Sequence, residues 1–143
     1  MAASFSTYCV HCSKRVSGGA HNVFVRTIAI SESSYWPSEV SPVGHPDHER
    51  TLVKWLLDNL PSDIRAVIVM HRHLPVLLHF ADSYFDNALD GVRQAYATAR
   101  ADLGAHVPPE VIAAALKGIE VIGSTMRSHS EFVAVMREMH CED

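Results

Sequence analysis

Between Pro75 and Leu103 the chain places apolar or small side chains at steps of three and four: Leu77, Ala81, Tyr84, Ala88, Val92, Ala95 and Ala99. That spacing lines one face of an α-helix. At 1.5 Å per residue the helix is about 40 Å long, more than a small domain is wide. A bend or frayed segment is therefore expected near Gly91, and Gly104 supplies the stop.

Three further helices are predicted around it. Pro46 suits a first helical position, Asp47 and Glu49 suit the positive end of the helix dipole, and Leu52, Val53, Leu56, Leu57 and Leu60 form an apolar face ending before Pro61. Pro108 and Pro109 open another helix, striped by Val111, Ile112, Ala115, Leu116, Ile119 and Ile122 and stopped at Gly123. Ser128 to Glu131 matches a capping box, so a separate last helix follows with Phe132, Val135, Met136 and Met139 inward. The run DIRAVIVM, Asp63 to Met70, reads as a strand buried on both faces.

The front of the chain reads as β. A short strand around Cys9 and Cys12, a turn at Gly18 and Gly19, and the β-branched run VFVRTIAI predict a hairpin. The segment from Ser31 to Pro46 has neither period and is expected to be a long surface loop, one with a function or one tied down. The fold class expected is α+β: an N-terminal hairpin, one further strand and about four helices. No second-domain boundary is visible, so 143 residues form one domain, β-rich over 1–45 and mainly helical over 46–143.

Charge and composition narrow the function classes. The net charge is −4, and of the 12 basic residues only Lys14 and Arg15 form a small patch at the cysteines. Nucleic-acid binding is therefore not favoured, and it would be local and steeply salt-dependent. No apolar run spans a bilayer and the start lacks a signal peptide, which points to a cytoplasmic protein without a membrane partner. Oligomeric state is left open.

Ten histidines and the pair Cys9 and Cys12 carry the chemistry. Cys-x-x-Cys in a reducing compartment points to metal or redox chemistry, and a structural zinc takes four ligands in a tetrahedron. A redox role is disfavoured because such motifs usually open a helix after a strand, whereas glycines and a second strand are expected here. His45 and His48, three apart at the predicted helix start, are the expected second half of a zinc site. His21, His140 and Cys141 are the rivals. Knuckle, hairpin and helix start in this order resemble a treble-clef zinc finger over Tyr8 to Leu60, with two histidines and a long loop as departures. The resemblance implies a structural zinc, with no open position and no catalysis.

A second cluster closes the expected strand. His71 and His73 share one side of an extended segment, and His79, Asp82 and Asp86 share a helix face. Converging, they would make a metal-dependent hydrolase, a nuclease or phosphoesterase, by activating water. The plainer reading is a polar strand-to-helix junction. Tyr35 and Trp36 are candidate anchors for a protein partner, or they fold back over the core. His106 and His129 are assigned no role. The function expected is a small zinc-binding protein with a binding or regulatory role, the hydrolase being the alternative.

Overall fold

The computed structural model describes residues 35–141 and the backbone of two short segments, β1 (Thr7–Tyr8) and β2 (Arg15–Val16), paired antiparallel with Thr7 opposite Val16. Cys9, Cys12, His21 and the expected second strand of the hairpin lie outside the described residues. From residue 35 onward the structure is helical: α1 (His48–Asn59), α2 (Ser62–Arg65), α3 (Ile68–Arg72), α4 (Leu74–Leu103) and α5 (Pro109–Cys141). This overturns the α+β expectation, since residues 35–141 contain no strand.

The expected strand at Asp63 to Met70 is two short helices instead. Leu60 ends α1 in an extended conformation, which the following Pro61 enforces, and one helical turn restarts at Ser62. A strand buried on both faces needs neighbours to pair with, and the described residues around this run offer none. Most of its apolar side chains accordingly face outward, Ile68 being 67% and Val69 47% exposed, while Ile64 packs half-buried against the core and Met70 is buried. A short apolar run does not by itself distinguish strand from helix.

The two helices expected after Pro108 are one. Gly123 does not stop α5, because it serves as a point of close approach: a β-carbon there would lie 3.3 Å from Val92 Cγ1 on α4. The expected capping-box Ser128 instead donates its hydroxyl back to the Ser124 carbonyl within the helix. α4 runs unbroken through Gly91 to Leu103, where Gly104 is required because a β-carbon would come within 2.6 Å of the Arg100 carbonyl oxygen.

α4 and α5 form a long antiparallel hairpin, and α1 packs across the end where α4 begins and α5 finishes. The core sits at that end. Leu52, Leu56, Leu77, Leu78, Phe85, Phe132, Val133 and Met136 are fully buried there, with Trp55 beside them. On α4 the buried face is turned from the expected stripe toward Leu78, Phe85 and Leu89, and Tyr84 is exposed, because the bulky phenyl ring outcompetes small alanines for core volume. The far half of the hairpin buries Leu89, Ile112 and Leu116 but leaves Leu103, Val111, Val121 and Ile122 exposed.

Candidate functional site

The chain before α1 folds back over the core. The Trp36 indole N–H donates to the Val40 carbonyl at 2.8 Å, its ring stands edge-on to Phe132 at 5.0 Å, and Val40 is buried. Tyr35 and Trp36 are thus half-buried packing residues, not exposed anchors. The Ser41 amide donates to the Thr51 hydroxyl at 2.9 Å, which holds this segment against the first turn of α1. The segment is tied down by these contacts.

They also shape the surroundings of His48, the first residue of α1. Among the described residues His48 is the buried polar one, 6% exposed. Its Nδ1 lies 2.7 Å from the Ser41 carbonyl oxygen. A carbonyl only accepts, so Nδ1 carries the proton and Nε2 presents a bare lone pair. That lone pair faces Nε2 of His140, in the last turn of α5, at 3.2 Å. The Trp36 ring lies beside His48, with ring centres 6.3 Å apart.

His45 takes a different course from its expected partner. It is exposed in the turn before α1, and its Nδ1 accepts the Asp47 amide at 3.1 Å. Three-residue spacing across a helix start does not keep both rings on one face, because His45 precedes the helical backbone.

The second cluster does not converge. His71, His73 and His79 are all exposed, and Nε2 of His71 donates to the Arg65 carbonyl at 2.6 Å. Asp82 is paired with Arg137, and Asp86 accepts the Ser130 hydroxyl, so both carboxylates fasten α4 to α5. Among the described residues no three histidine, cysteine or acidic side chains come together as a metal-binding group. No helix among them is long and apolar enough to cross a membrane.

One further histidine has a defined setting that the sequence reading left without a role. His129 is held edge-on to Trp55 and packed against Phe85 at 5.3 Å, with Nδ1 buried and without a hydrogen-bond partner among the described residues. Burial pushes its imidazole below the usual value, and Glu39 pulls the other way more weakly. Its position three residues before Phe132 on the core face of one continuous helix was the available signal, hidden by the capping-box reading. No family model, curated protein or solved structure matches the chain.

Proposed function

We propose that this is a small binding or regulatory protein without catalytic chemistry, in which a structural zinc ion bound through Cys9 and Cys12 fastens the N-terminal segment to the helical body. The observation that carries this reading is His48. Of the histidines expected as ligands, it is the one buried at the core edge with its outer nitrogen pinned to a backbone carbonyl. That is the arrangement by which proteins orient imidazole ligands and set their tautomer. The Cys-x-x-Cys motif adds two thiolates of the kind a closed zinc site uses.

The hydrolase alternative has less behind it. His71 and His73 are exposed, and Asp82 and Asp86 are engaged by Arg137 and Ser130, so these side chains are not held toward a common ion.

The test is metal content of untagged protein purified without added metal or chelator. Near one zinc per chain, lost together with thermal stability in the C9S/C12S variant and kept in H71A/H73A, supports the proposal. Equal metal content in wild type and C9S/C12S overturns it. A divalent-metal-dependent phosphodiesterase activity abolished by H71A/H73A would transfer the case to the hydrolase.

A further inference from the structure

His48 and His140 are 92 residues apart in sequence and meet through their Nε2 atoms. Their rings are nearly parallel, at 10°, with centres 5.4 Å apart. The centres are thus much farther apart than the nitrogens at 3.2 Å, so the rings meet rim to rim and not face to face. In the absence of an ion, this contact is an N–H···N hydrogen bond from His140 to the bare Nε2 of His48.

The same separation has a second meaning. A tetrahedral zinc ion with Zn–N bonds of 2.0–2.1 Å sets two ligand nitrogens about 3.3–3.4 Å apart. We propose that His48 and His140 are the paired imidazole ligands of a zinc ion, with His140 in the place expected for His45. The inference rests on the zinc reading above, in which Cys9 and Cys12 provide the thiolates.

Three observations converge on it. The His48 tautomer leaves Nε2 available, since Nδ1–H is committed to Ser41. Metal-ligating histidines use their second nitrogen in this manner. The contact also lies at a junction, where the last turn of α5 reaches the first residue of α1, so an ion there joins two elements distant in sequence. His45, by contrast, is exposed and spends Nδ1 on the turn that precedes the helix.

The protons balance. On loading, the Nε2 proton of His140 moves to its Nδ1, freeing the second lone pair, and each cysteine thiol releases its proton to solvent. Zn²⁺ with two thiolates and two neutral imidazoles carries no net charge, which avoids the cost of leaving an unpaired charge half-buried.

Cobalt(II) is the probe, because tetrahedral coordination gives it intense visible bands and sulfur ligation adds a near-ultraviolet charge-transfer band. Wild type, H140A, H45A, H140C and C9S/C12S are titrated with cobalt and then competed with zinc, with circular dichroism of the metal-free proteins to check folding. The expected result is tetrahedral cobalt in wild type and in H45A. In H140A the affinity falls by more than the roughly 10–100-fold typical of losing an outer-shell partner. H140C restores binding with a stronger thiolate band, and it decides the question if H140A does not fold. H140A binding as tightly as wild type, or H45A losing the metal, overturns the assignment while leaving zinc itself standing. Metal kept without the thiolate band in C9S/C12S but lost in H140A keeps the imidazole pair and removes the cysteine reading. A wild type that takes up neither ion removes both.

Discussion

The imidazole of His129 stands edge-on to the indole of Trp55, with ring centres 5.0 Å apart and planes at 85°. This contact binds the middle of α5 to α1 and places a titratable ring against the core. Because burial disfavours its charged form, the folded-state pKa lies below the ordinary value near 6.5. The unfolded chain then binds the proton more readily. The contribution to stability is fully present above about pH 6.5 and is lost as pH falls from there through the lowered folded value.

His129→Phe keeps an aromatic ring in contact with Trp55 and removes the proton site. Urea unfolding of wild type and variant across pH 5 to 8 should show the variant losing less stability on acidification. Since the two proteins differ only at residue 129, the difference between the two profiles isolates His129. Parallel profiles would show that its burial has no energetic consequence.

Phe132 is fully buried and receives two indoles edge-on, Trp36 at 5.0 Å and Trp55 at 5.0 Å. Truncation removes the ring on which the folded-back segment, α1 and α5 all meet. Phe132→Ala is expected to cost about 3–5 kcal/mol, the range for deleting a buried aromatic side chain. The denaturant midpoint should fall, and tryptophan fluorescence should change in the folded baseline because both indoles lose the contact with this ring. A cost below about 1 kcal/mol would mean that the core collapses around the gap or that Phe132 is not its centre.

Two glycines inside α5 should respond differently to the same change. At Gly118 a β-carbon meets nothing within 4 Å, so Gly118→Ala gains helix propensity and should stabilise by about 0.5–1 kcal/mol. At Gly123 the same methyl presses on Val92, so Gly123→Ala should gain less or lose stability. Adding Val92→Ala should relieve the contact and recover the gain. Equal stabilisation at both sites would show that the helices do not approach as closely as the structure has them.

Much of the helical part was legible because its signals are local. Pro46 and Pro61 bracket α1, and its leucines at helical spacing point inward as expected. α4 was read nearly whole. What failed depended on contacts between distant residues. Gly123 looks like a stop until Val92 is seen across from it, and Asp63 to Met70 looks like a strand unless one knows that the described residues around it offer no strand to pair with. Trp55 was not part of the expected stripe, although it joins α1 to Phe85 and Phe132. The His48–His140 contact was half legible. His48 follows from its place at a helix start, whereas His140 could be named only as a rival, since nothing local brings the end of one helix to the start of another.

The α4/α5 hairpin is held at one end only by other described elements. At its root, Leu77, Leu78 and Phe85 on α4 and Phe132, Val133 and Met136 on α5 are gripped by the core, while toward Leu103 and Val111 the two helices have chiefly each other. Mechanically this is a cantilever. Deflection grows with distance from the clamp, and a load at the tip becomes a torque at the root. The His48–His140 contact lies at that root, so a touch on the apolar tip and a bond at the imidazoles act on opposite ends of one lever.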